Sequence, residues 1–164
     1  MSKRLYTLVE ISLLATLISI SGAIKIPTFI LGSEFQMSAP LAVSICAVFG
    51  FKRYITAGIL SSLILFMLGL HTLINVGVAM VFRLVVGLVI YFFGTKNLVL
   101  MLAGPLGSFT ARVVLAFILQ VPVTFLLLPT IPGMICTALL SLPLTRVLER
   151  IYHQVGGRQL GQQI

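Results

Sequence analysis

The chain has 164 residues, 59% of them hydrophobic and only 9% charged, where an ordinary soluble domain carries about 25% charged residues. With a mean hydropathy of +1.18, a water-soluble globule of this size has too little interior to hide its apolar side chains, so the composition points to an integral membrane protein. A disordered chain is excluded by the apolar content, and a secreted disulfide scaffold by the presence of Cys46 and Cys136 alone, both inside apolar runs.

A helical span needs about 20 mostly apolar residues, and six candidates follow in order. The first runs from about Leu5 to Ile24, and the second, short, from about Met37 to Phe51. The third covers about Tyr54 to Leu70, the fourth Ile74 to Gly94, and the fifth Leu98 to Gln120. The sixth starts near Ile131, after a proline-rich approach, and ends near Leu148. Together they use nearly the whole chain, so the expected fold is a single all-α membrane domain over residues 1–164, a six-transmembrane-helix bundle with no soluble module. Solid apolar runs without alternation argue against a β-barrel.

The excess of basic residues, +8 net, would suggest nucleic acid in a soluble protein. Here it lies between apolar runs and reads as a topology signal. Lys3 and Arg4, Lys52 and Arg53, Lys96, and the group Arg146, Arg150 and Arg158 all fall on one side if six spans alternate. The other side carries Lys25, offset by Glu34. Both termini are therefore expected in the cytoplasm of a prokaryotic plasma membrane protein.

Two outer connections stand out. Lys25 to Gln36 is too apolar for a solvated loop and too polar for a span, so it reads as an interfacial segment or a lid over an outward-facing cavity. Val121 to Gly133 holds three prolines and a glycine and is expected to break any helix there. The inner connections are short, which puts a binding site on the outer face.

The chain lacks a GxxxxGK[ST] loop, HExxH and CxxC, and it has no Asp at all. No catalytic set, metal site or cofactor is expected, and the protein is read as not an enzyme. Glu10, Glu34 and Glu149 lie at span ends or in loops, with Glu10 expected to meet the basic inner end. A carrier driven by protons or sodium normally keeps a carboxylate at mid-membrane; a solute moved by this protein would need a partner to supply energy.

Arg83 falls near the middle of the fourth span and Arg112 in the outer half of the fifth. A lone arginine in hydrocarbon costs about 2.5–3.5 kcal/mol even on the lenient insertion scale. Either backbone carbonyls satisfy the pair, or they form an anion pocket, because guanidinium forks onto carboxylate or phosphate. Polar residues gather on the same half: Glu34 and Gln36, then His71, Thr72 and Asn75, then Gln120 and Thr130. Asn75 and Arg83, eight residues apart, sit roughly 80° apart around an ideal helix and suit one cavity at two depths. The substrate-binding set is thus Arg83, Arg112, Asn75, Glu34, Gln36 and His71.

On the first span, Ala15, Ser19 and Ala23 repeat every four residues and share one face. A small-residue stripe allows close helix approach in lipid, against the protein's own spans or against another subunit. Gly104, Pro105 and Gly107 mark a kink or close contact in the fifth span, and Gly77 and Gly87 are expected to serve internal packing.

With these features the chain resembles the substrate-binding S components of energy-coupling factor (ECF) transporters. The likeness covers nearly the whole chain in size, span count and topology. It is carried most by residues 32–62, where a loop leads into the proline-containing second span, then a Phe-Gly and basic turn (Phe49-Gly50-Phe51-Lys52-Arg53), then a small-residue helix ending Ser61-Ser62. Ala15, Ser19 and Ala23 loosely match the family's docking element in the first helix. The resemblance implies capture of a vitamin or related micronutrient at the outer face. Uptake would then depend on a transmembrane coupling subunit and two ABC-type ATPases. The alternatives are a non-transporting scaffold of the rod-shape-determining type and a secondary carrier.

Overall fold

The computed structural model describes residues 3–27 and 34–160, with side chains described for 5–24 and 37–154. Helix α1 (Lys3–Ala23) is followed by two three-residue strands, β1 (Lys25–Pro27) and β2 (Glu34–Gln36), and then by α2 (Ser38–Phe49), α3 (Phe51–Met67), α4 (Leu73–Phe93) and α5 (Asn97–Leu119). A short α6 (Val123–Leu127) and a 3-10 turn at Leu128–Thr130 lead into α7 (Ile131–Leu160). The strands pair antiparallel, with Ile26 opposite Phe35, so the first long connection is a hairpin at its base rather than an unstructured segment. Residues 28–33 of that connection lie outside the described residues.

The apolar periodicity does its work helix by helix, and the ends are set by local chemistry. Gly50, at φ +80°, ends α2 and starts α3 in one residue, and Gly94, at φ +78°, ends α4. Thr72 caps α4 by accepting the Asn75 N–H at 3.3 Å. Gln120 closes α5 in the left-handed region, at φ 55°, with its side-chain amide donating to the Phe117 carbonyl at 2.9 Å.

Two expectations need correction. The proline-rich stretch breaks the chain after α5, at Gln120–Pro122, and the α pattern again at Leu128–Thr130, but it is not open loop: α6, the 3-10 turn and α7 follow one another as an apolar helical stretch over Val123–Gln154. Pro129 and Pro132 fall in the first turn of the 3-10 and α7 segments, where a missing N–H costs nothing. The last helix also continues well past Leu148, to Leu160. Tyr152 on this extension meets Phe49 edge-on, with ring centroids 5.2 Å apart, which ties the end of α7 to the end of α2.

Four helical stretches, starting at Leu5, Leu73, Asn97 and Val123, are long and apolar enough to cross a membrane. Helix α2 is too short for that criterion and is instead the centre of the bundle. Residues Pro40 to Cys46 are buried without a break, and α1, α3, α4, α5 and α7 all pack against it.

The surface is as apolar as the core, unlike that of a soluble domain. The outward faces are apolar, with Leu73, Tyr91, Phe92, Leu98, Phe117 and Ile118 each at least 70% exposed. Polar side chains lie inside: Ser19, Ser44, Ser61, Ser62, Arg83, Thr137, Ser141 and Thr145 are buried. Continuous apolar surface of this kind is sustained by lipid, not water. This is a helical membrane protein. Its inner hydroxyls fold back onto the preceding turn, Thr137 onto the Gly133 carbonyl, Ser141 onto Thr137 and Thr145 onto Ser141, at 2.7, 2.6 and 2.7 Å. Thr145 also reaches Ser44 Oγ on α2 at 3.1 Å, which joins the two helices. Close approach elsewhere depends on glycine. A Cβ at Gly87 would fall 2.2 Å from the Phe51 ring, and one at Gly104 would fall 2.3 Å from Thr137 Cγ2. Gly77, expected to serve packing too, has open space around its Cα.

Candidate functional site

A cavity of about 290 Å³ lies among α1, α2, α4, α5 and the start of α7. Its lining residues share one end of the bundle. Ser38 opens α2, His71 and Asn75 flank the start of α4, Thr130 ends the 3-10 turn, Gly133 lies in the first turn of α7, and Ile18 and Arg112 stand in the later halves of α1 and α5. This is the end joined by the connections 24–37, 68–72 and 120–130. Lys52, Arg53 and Lys96 lie at the opposite end.

Four of the six expected binding residues, Arg83, Arg112, Asn75 and His71, line this one cavity. Thr130 joins them. Glu34 and Gln36 lie in β2, next to the start of α2, and their side chains are outside the described residues. Gln120 is exposed and used as a helix cap, away from the cavity. Sequence reasoning missed Ser38, Phe82, Ser108, Met134 and Thr137. Small hydroxyls inside apolar helices carry no distinguishing signal until the helices are placed, although Asn75, Ala79, Phe82 and Arg83 follow the three- and four-residue spacing of one helix face.

Arg83 is 6% exposed. Its Nη1 donates to Ser62 Oγ on α3 at 2.6 Å and lies 3.9 Å from Met80 Sδ. Neither contact brings a negative charge. Arg112, half-buried, likewise has no carboxylate partner among the described residues, where the ion pair is Arg53 with Glu10 at 2.8 Å, on the other end of the bundle. Glu10 thus meets the basic connection, as its position implied. Two guanidinium groups line one cavity, and among the described residues no carboxylate lines it with them, an arrangement chemically suited to an anion.

The stripe Ala15, Ser19, Ala23 divides. Ala15 and Ser19 are buried, and Ser19 Oγ lies 3.0 Å from Ser61 Oγ of α3 in a hydrogen bond, while Ala23 is exposed. The outer flank of α1 is formed by Ser12, Leu13, Thr16, Leu17 and Ile20.

Among curated proteins, the chain is 54% identical over 152 residues to "Protein BioX" of Lysinibacillus sphaericus, a match that covers 93% of this chain and 92% of that protein. The chain belongs to the BioX family. No family model and no solved structure matches this BioX-family chain.

Proposed function

We propose that this BioX-family protein is the substrate-binding subunit of an ECF-type importer. It captures an acidic micronutrient in the cavity at the outer end of the bundle. The observation that carries this reading is the placement of Arg83 and Arg112 on one cavity with no acid beside them among the described residues. A bound carboxylate supplies the missing countercharge. At about 290 Å³ the cavity lies just below the range of about 300–1,000 Å³ typical of small-molecule pockets, which favours a small, vitamin-sized ligand. Biotin is the first candidate, because the relative's name carries the prefix used for biotin genes and biotin ends in a carboxylate.

In this reading all six long helices cross or enter the bilayer, with both termini and the basic connections in the cytoplasm. The role is binding rather than catalysis. The energy for uptake comes from a transmembrane coupling subunit with two ABC-type ATPases. The coupling subunit docks on the exposed flank of α1 beside Ala23, a flank that Ala15 and Ser19 back from within.

The test is native mass spectrometry of gently purified protein, followed by titration with biotin. A co-purified acid, or saturable biotin binding abolished by adding excess of that acid, supports the reading. A neutral co-purified ligand, with no carboxylate bound, refutes it. Recovery of ATPase subunits with tagged protein from a native membrane separates an importer subunit from a scaffold that binds no ligand.

A further inference from the structure

Arg83 reaches the cavity from α4, but its position is set by α3. Gly58 and Ser62, one turn apart on α3, present the same face and are both buried. Neither belongs to the cavity wall. A Cβ at Gly58 would lie 2.6 Å from both Cδ and Nε of Arg83, about 0.8 Å inside the 3.4 Å at which ordinary contact begins. The arginine stem therefore rests directly on the bare α3 backbone. One turn further on, Ser62 Oγ accepts from Nη1 at 2.6 Å.

We infer that Gly58 and Ser62 form a seat for Arg83 that fixes the depth of its positive charge and the room left in front of it, making them positioning residues for ligand selectivity. This rests on the reading of the cavity as the acid site. The physical logic is one of displacement. With α3 behind it, an arginine pushed off Gly58 has open space on one side, the cavity. An added methyl group on α3 is thus converted into lost volume on the ligand side, and the guanidinium moves towards the ligand. Losing Ser62 adds no bulk. It releases one end of the guanidinium and loosens its aim without changing the space.

The probes are biotin and pentanoate, which has biotin's acid tail without its ring system, titrated against purified full-length protein by ligand-induced thermal shift. Gly58→Ala is expected to weaken biotin at least about tenfold, the scale on which a pocket senses a methylene, and to change pentanoate much less. In an Arg83→Ala background, which removes the stem, Gly58→Ala is expected to leave both probes and the ligand-free melting temperature unchanged. Ser62→Ala, which needs no extra room, is expected to weaken both probes by about tenfold with their ratio preserved. Equal losses of both probes in Gly58→Ala, or a Gly58→Ala cost that persists without Arg83, would make Gly58 a packing residue and overturn the seat. So would unchanged affinities in Ser62→Ala. A wild-type protein that binds neither acid overturns the acid-capture reading itself, and the seat's role in selectivity with it.

Discussion

Ser19 on α1 and Ser61 on α3 are hydrogen-bonded through their hydroxyls, 3.0 Å apart. Ser19 also donates back to the Ala15 carbonyl at 2.8 Å, so the small-residue stripe of α1 is occupied at this level by the chain's own third helix. Ser19→Leu forces an isobutyl group into that contact. Overpacking of this kind typically costs about 1–3 kcal/mol. The expected outcome is a lowered melting temperature of the isolated protein together with weakened ligand binding. Ala23→Leu, on the exposed end of the same stripe, is expected to leave both unchanged and to impair recovery of partner subunits alone. Loss of partners in Ser19→Leu with an unchanged melting temperature would place the docking face on the inner stripe instead.

Arg83→Gln removes the guanidinium while keeping a hydrogen-bonding side chain. Hydrogen bonds to charged groups are worth about 1.5–3 kcal/mol, so affinity for an acidic ligand should fall about ten- to a hundredfold. Arg83→Lys should recover it only in part, since an ammonium group cannot reproduce the planar fork. The ligand-free melting temperature should hold or rise in Arg83→Gln, because a buried charge without a carboxylate has been removed. Calorimetric titration of both variants reads the affinities. Unchanged affinity in Arg83→Gln would exclude a direct contact.

Gly104 on α5 faces Thr137 on α7, whose Cγ2 would lie 2.3 Å from an added Cβ. Gly104→Ala should lower stability by about 1–3 kcal/mol, read as a shifted thermal transition in detergent. Thr137→Ser deletes that methyl group and keeps the hydroxyl that donates to the Gly133 carbonyl. The double variant should recover most of the loss. Additive losses would show that the two positions do not share the contact.

Single cysteines at Leu70 and Thr95, both exposed, test the orientation in a background without Cys46 and Cys136. A membrane-impermeant maleimide added to intact cells should label the cysteine at position 70, in the connection beside the cavity, and not that at position 95, beside Lys96. The reverse pattern would turn the cavity to the cytoplasm.

The six longer helices, their order and most of their ends were legible in the sequence, though not α6 or the end of α7, because lipid imposes one rule on every span: apolar side chains outside and backbone hydrogen bonds closed within the segment. Runs such as Ile74–Gly94 and Leu98–Gln120 state that rule directly, and Arg83, Arg112, Asn75 and His71 were conspicuous because ionisable or strongly polar groups are costly there. The proline-rich run was legible as a break but not as helix between the breaks, because proline disrupts a helix only after its first turn, and the position of a first turn depends on where the preceding helix stops. Tertiary structure alone decided which neighbours each inward face meets. Span one carries small residues on a stripe, but their spacing is the same whether Ser19 meets Ser61 or another subunit. Gly58 and Gly77 look alike in the sequence. One lies against the stem of Arg83 and the other against open space, since a missing Cβ gains meaning only from the atom that takes its place.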